Sequence, residues 1–265
     1  MRDEQQRTQP RDPAGDEVLA RKADLESVVG MASALPRRAP GLLTLPPADQ
    51  AVVTYPLIVR ERAVLLHERF DAAGIAHALG GALALAYHVQ DARGTSDIDV
   101  NVTCDAERAS RVFSALPMGL PWTSSDVAEV ARTGQIRLLW PHPDGAPTQP
   151  IPVDLFFPQH DFHAVVASRT EVVAMLATTV PIISATDLTI FKCLFDRSKD
   201  WPDIEELLRF GRVDVPEVRS WLVTLLGEDD PRLGRLATLV ESAGAPRPQV
   251  STAELFGRRK PRLGD

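Results

Sequence analysis

Asp97 and Asp99 stand two positions apart in "DIDVNVT", where Ile98, Val100 and Val102 alternate with Asp97, Asp99 and Asn101. Strict alternation predicts a strand, and residues i and i+2 of a strand share a face. Two carboxylates held side by side repel unless a cation sits between them. Hard oxygen donors suit Mg2+, which fills the rest of its shell with water and substrate phosphates, so the pair points to phosphoryl or nucleotidyl transfer. A third carboxylate, Asp154, lies opposite in phase to Val153 and Leu155 in "IPVDLFF" on a second expected strand. Three carboxylates can hold two metal ions. One ion lowers the pKa of an attacking hydroxyl and the other neutralises a leaving pyrophosphate, with Asp154 as general base.

Gly80 and Gly81 end the short apolar run "IAHAL" and feed straight into "ALALAYHV". A strand that ends in two glycines before a helix lets backbone amides and the positive helix terminus approach a triphosphate without side-chain obstruction.

The elements that must position these residues follow from periodicity. Val59, Ala63, Leu66 and Phe70 form the stripe of an amphipathic helix that Gly74 terminates. "ALALAYHV" is apolar all round, as in a helix enclosed by the core. "QIRLLW", "PVDLFF" and "VPIIS" read as strands, the first two separated by a proline- and glycine-rich loop from Pro141 to Pro150. From Asp187 the pattern turns helical, with Leu188, Phe191 and Phe195 as its stripe. Asp200 is expected to cap the next helix with Pro202 in its first turn. Helices over 215–226 and 231–243 follow. The expected fold is α/β (α+β): a small mixed sheet with flanking helices, then a C-terminal helical subdomain. The expected boundaries are a disordered leader over 1–16, the α/β core with N-terminal helices over 17–184, helices over 185–250 and a basic tail over 251–265.

Composition narrows the function classes. The 265 residues are 44% hydrophobic and 25% charged, the usage of an ordinary folded protein. A formal charge of −7, from 29 Lys+Arg against 36 Asp+Glu, argues against a surface built for indiscriminate grip on phosphate backbones. The charged opening "MRDEQQRTQPRD" lacks the apolar stretch of a secretory signal, and no uncharged run could span a bilayer, so the cytoplasm is the expected compartment. Cys104 and Cys193, the two cysteines, are expected to be buried reduced thiols. His160 and His163 read as polar surface, and the four tryptophans as packing residues.

Taken together, "LGGALALAYHVQDARGTSDIDV" resembles the signature of the DNA polymerase β-like nucleotidyltransferase superfamily. Its "R-x-T-x-D-I-D" form, Arg93 to Asp99, resembles the bacterial branch containing AbiEii-type toxins, the MenT toxins and aminoglycoside-type nucleotidyltransferases. The likeness runs on through "VDLFF" and "DLTIFKCLFDRSKDWPDIEELL", spanning roughly Ile75 to Leu208. The resemblance implies metal binding by Asp97, Asp99 and Asp154, with phosphate contact at Gly80 and Gly81. It implies that Lys192 faces the triphosphate, and that Arg93, Ser96, Lys199 and Asp203 bind nucleotide or brace the site. It also implies Mg2+ in a two-metal site, an NTP as substrate, an acceptor that is RNA such as tRNA or a small molecule, and an antitoxin protein as partner. The bland readings are a solvated face for Asp97 and Asp99 and a snorkelling surface lysine for Lys192. Two further classes are weighed. A sugar-nucleotide glycosyltransferase would need a larger nucleotide domain before the Asp-x-Asp, and a non-catalytic nucleotide-binding protein would not need the carboxylates intact.

Overall fold

Hydrophobic alternation sets the centre of the sheet. The computed structural model describes residues 56–89, 92–142, 149–210 and 212–243. The expected leader, the basic tail and the segment 17–55 lie outside the described residues. Chain order within them is α1 (Leu57–Ala72), β1 (His77–Leu79), α2 (Gly81–His88), β2 (Ile98–Val102), a 3-10 turn (Ala106–Arg108), α3 (Ala109–Ala115), α4 (Ser124–Thr133), β3 (Gln135–Trp140) and β4 (Ile151–Phe156). There follow α5 (Phe162–Ser168), β5 (Glu171–Met175), β6 (Thr178–Ile182), α6 (Ala185–Phe195), α7 (Asp200–Arg209), α8 (Val215–Leu226) and α9 (Pro231–Ala243).

The six strands form one mixed sheet in the order β3-β4-β2-β1-β6-β5. β2 runs parallel to β4 and β1 parallel to β6, while the β1/β2, β3/β4 and β5/β6 pairs are antiparallel. Among the described residues the fold is thus mixed α/β, with six strands before residue 183 and four helices after it. On β2, Ile98, Val100 and Val102 are buried and Asp99 and Asn101 are half-buried, the pattern that alternation requires.

The buried face of α1 is Val59, Ala63, Leu66 and Phe70, joined by Arg62. Arg62 donates to the carbonyls of Trp140 at 2.9 Å and Pro141 at 2.6 Å, and its guanidinium lies 4.8 Å from the Trp140 ring, tying α1 to the end of β3. α2 buries Ala82, Leu83, Ala84, Leu85, Ala86 and His88, and packs on β2 and α6. α6 in turn packs on α7 and α8, so α2 lies between the sheet and the helical segment.

Three expectations change. Phe191 and Phe195 are not the buried stripe of α6. That stripe runs through Ala185, Leu188, Thr189, Lys192 and Cys193, while Phe195 is 42% exposed beside Phe156 at 6.0 Å and Phe191 lies 5.1 Å from Phe162. Asp200 is the first residue of α7 rather than its cap, a position Lys199 takes, because the Asp200 carboxylate is buried and committed to Arg197. Cys193 is buried but Cys104 only partly so. The strand β5 and the seven-residue helices α3 and α5 are additions, each too short to register as a periodic pattern.

Candidate functional site

Parallel pairing of β2 with β4 brings Asp99 and Asp154 into register as Cα partners. Neighbouring strands lie about 4.8 Å apart, and residues in register on adjacent strands point to the same side. Asp97 sits one residue before β2, two before Asp99, and therefore joins that side. Its backbone N–H donates to Thr95 Oγ1 at 3.1 Å, and one of its carboxylate oxygens accepts from Ser96 Oγ at 3.0 Å. The three carboxylates predicted to act together are thus brought to one patch of the sheet.

The patch carries unbalanced negative charge. Burial, then the Asp154 and Asp97 carboxylates, push the Asp99 carboxyl up to about 6, against a smaller opposing pull from Arg197 and Lys192. Arg137 on β3 supplies the nearest counter-charge. It lies across from Asp154 in the antiparallel β3/β4 register. Its Nε donates to Oδ1 at 2.7 Å and its Nη2 to Oδ2 at 2.6 Å, and Nη2 is also 3.9 Å from Asp97 Oδ2. The Asp154 hydrogen bonds hold the Arg137 guanidinium well above its ordinary pKa.

The two glycines serve this patch sterically. Gly80 N–H donates to the Asp99 carbonyl at 2.8 Å, pinning the turn to β2. Gly81 opens α2 with φ +53°, and a Cβ there would stand 1.8 Å from Asp99 Oδ2. A Cβ on Gly80 would stand 2.7 Å from Asn101 Nδ2. Only hydrogen at residue 81 lets the Asp99 carboxylate lie against the start of α2, where the helix dipole favours negative charge. Gly81→Ala is expected to cost about 2–4 kcal/mol, combining the left-handed backbone with overpacking against a carboxylate. Denaturant unfolding checks it; a loss below about 1 kcal/mol would contradict this steric account.

Lys192, Asp203 and Arg93 come together in a second cluster. The Lys192 ammonium is buried, donates to Asp203 Oδ2 at 2.6 Å and lies 3.7 Å from Asp200 Oδ1. Arg93, from the loop before β2, donates through Nε to the same Asp203 carboxylate at 3.1 Å. Burial alone would raise the Asp200 carboxyl, but the hydrogen bonds from Arg197 and the charge of Lys192 outweigh it and hold the group below the usual range. The cluster therefore ties the loop carrying Asp97 to α6 and α7. Lys199 is exposed at the start of α7.

Among the described residues, no three carboxylate, imidazole or thiol side chains are already gathered as a set of metal ligands, and both Asp154 oxygens are turned to Arg137. The donor set nevertheless fits a hard divalent ion: it is all carboxylate, and burial together with mutual repulsion raises Asp99.

Arg137, Arg197 and Asp200 are bonded to or face the predicted residues, and the sequence reading assigned none of them a part in the site. The phase of "QIRLLW" does place Arg137 opposite the buried Leu138 and Trp140. What it does not give is the antiparallel register that sets Arg137 opposite Asp154.

No protein-family model matches the chain, and no curated protein matches it. Solved structures do. An antigenic nucleotidyltransferase-like protein from Paracoccidioides brasiliensis is 16% identical over 73% of this chain and 93% of its own, with a TM-score of 0.45. JHP933 from Helicobacter pylori is 16% identical over 71% and 90%, with a TM-score of 0.37. The antibiotic-resistance factor ANT(2'')-Ia is 15% identical over 69% and 93%, with a TM-score of 0.34.

Proposed function

We propose that this chain is a Mg2+-dependent nucleotidyltransferase that moves an NMP from an NTP to an acceptor hydroxyl, the acceptor being RNA such as tRNA. The observation that carries the reading is the register of Asp99 with Asp154 on parallel neighbouring strands, with Asp97 beside them and the Gly80-Gly81 turn pressed onto Asp99. Asp97, Asp99 and Asp154 are the residues that would hold the ions. Bound there, magnesium would lower the pKa of the attacking hydroxyl and neutralise charge on the departing pyrophosphate.

The chain's own groups do the remainder. Asp154 accepts the hydroxyl proton. The Gly80-Gly81 turn places no side chain between the start of α2 and arriving phosphate oxygens. Ser96 and Thr95 fix the rotamer and backbone of Asp97. Lys192, with Arg93 and Asp203, braces the loop before β2 against the helical segment and contributes positive potential to the nucleotide, while Lys199 is free to reach phosphate from the solvent side. The helical segment closes over nucleotide and acceptor.

The toxin-like motif and the basic residues Arg258, Arg259, Lys260 and Arg262 favour RNA, with an antitoxin protein as partner and the cytoplasm as compartment. Among the described residues no helix is long and apolar enough to cross a membrane. The formal charge of −7 favours the second reading, a small cationic acceptor of the aminoglycoside kind.

The test is incubation with each α-labelled NTP and Mg2+ against a tRNA pool and an aminoglycoside panel. Label on tRNA is the expected result, and label on an aminoglycoside replaces the acceptor. No transfer to either with any NTP, in Mg2+ or Mn2+, overturns the reading.

A further inference from the structure

Both oxygens of Asp154 are occupied. Arg137 takes them with two parallel, charge-assisted hydrogen bonds of 2.7 and 2.6 Å, and the same Nη2 leans towards Asp97 at 3.9 Å. A divalent ion shared by these carboxylates needs the same lone pairs. The Arg137 side chain is 57% exposed and sits on β3, an edge strand of the sheet, so its departure uncovers no core. The other cations near the patch are engaged elsewhere: Lys192 with Asp203 and Asp200, Arg197 with Asp200.

We propose that Arg137 is the exchangeable counter-cation of the carboxylate patch: it neutralises Asp154 and Asp97 when no ion is bound, and a divalent ion enters by displacing its guanidinium. The inference rests on the metal reading above and adds a competition to it. With Arg137 in place the patch holds three carboxylates against one guanidinium. The ion brings two charges and so leaves the patch less negative than the arginine does. The exchange also frees a planar, five-donor group at the mouth of the site, on the exposed side where phosphates arrive. Arg137 is thus a positioning residue that sets the concentration of ion at which the site loads.

The experiment is a Mn2+ titration of the full chain, without nucleotide, followed by calorimetry and by the electron paramagnetic resonance signal of free Mn2+. Arg137→Ala is expected to bind Mn2+ about tenfold more tightly than the wild type, because two ligand oxygens no longer have to be won from a charge-assisted pair. Millimolar guanidinium added to R137A should return the affinity towards the wild-type value, an effect a merely structural role would not produce. Arg137→Lys keeps the charge without the fork, and is expected to fall between the two; it also serves if R137A does not fold. Wild type and R137A binding with equal affinity, or R137A binding more weakly, overturns the competition and leaves the metal reading standing. No Mn2+ binding by either overturns both.

Discussion

Asp99→Asn is expected to lower nucleotidyl transfer by at least about a thousandfold and, in chelator-treated protein, to make the fold more stable. The first effect follows because a divalent ion supplies several kcal/mol of charge stabilisation to phosphoryl chemistry, and about 4 kcal/mol is a factor of a thousand. The second follows from the pressure on the Asp99 carboxyl, which burial and its two carboxylate neighbours push up to about 6. An acid whose folded pKa is raised is favoured in its protonated form. Its contribution is fully present below the ordinary carboxylate value near 4 and is lost as pH rises through about 6. Asparagine has the shape without the charge. The variant and wild type should therefore be equally stable near pH 4 and diverge above it, with the variant ahead by roughly 2–3 kcal/mol at pH 8. Urea unfolding in chelator across that range measures the gap. A gap that stays flat with pH would mean that Asp99 is not strained by its neighbours, and full activity in the variant would remove it from the site.

Lys192→Ala is expected to lose about 3 kcal/mol of stability, a fall in Tm of about 6–12 °C for a folded region of this size. The ammonium is buried between Asp203 at 2.6 Å and Asp200 at 3.7 Å, and its removal leaves two buried carboxylates short of a partner. Arg93 still reaches Asp203 and Arg197 still reaches Asp200, which keeps the loss at the lower end of what breaking a buried pair costs. Thermal unfolding and nucleotide titration together separate two roles for this residue. A large drop in Tm marks the brace described above. Unchanged stability with weakened NTP binding would instead make Lys192 a phosphate ligand that leaves its carboxylates.

Period and phase were legible in the sequence wherever an element is long or its pattern is strict. The 98–102 alternation and the Val59–Phe70 stripe give β2 and α1 with their buried faces, and the Gly-Gly turn before an apolar helix gives the start of α2. Register was not legible. Local pattern says that Asp154 lies on a strand; it does not say that β4 pairs with β2, some fifty residues away, with Asp154 level with Asp99. The same blindness hid Arg137, which reads as an outward residue of "QIRLLW" until β3 is laid beside β4. On α6 the apolar template found Leu188 but ran off the buried face towards Phe195. The buried stripe there carries Thr189 and Lys192, so counting apolar residues favoured Phe191 and Phe195 instead. Lys192 is the clearest case of tertiary context overruling the bland expectation, since a lysine with two carboxylate partners is buried where a lone one would snorkel.

The space that glycine leaves at residue 81 has an evolutionary corollary. Because the Asp99 carboxylate fills the volume a methyl group would need, any side chain arriving at 81 collides with it, whereas shortening residue 99 first reduces the collision to a tight 3.0 Å contact with its Cβ and leaves the backbone strain of φ +53°. The two changes are therefore order-dependent. A lineage that abandons the chemistry can lose the acid and afterwards the glycine, but the opposite sequence passes through a damaged fold. Descendants carrying a larger residue at 81 should already lack the acid at 99.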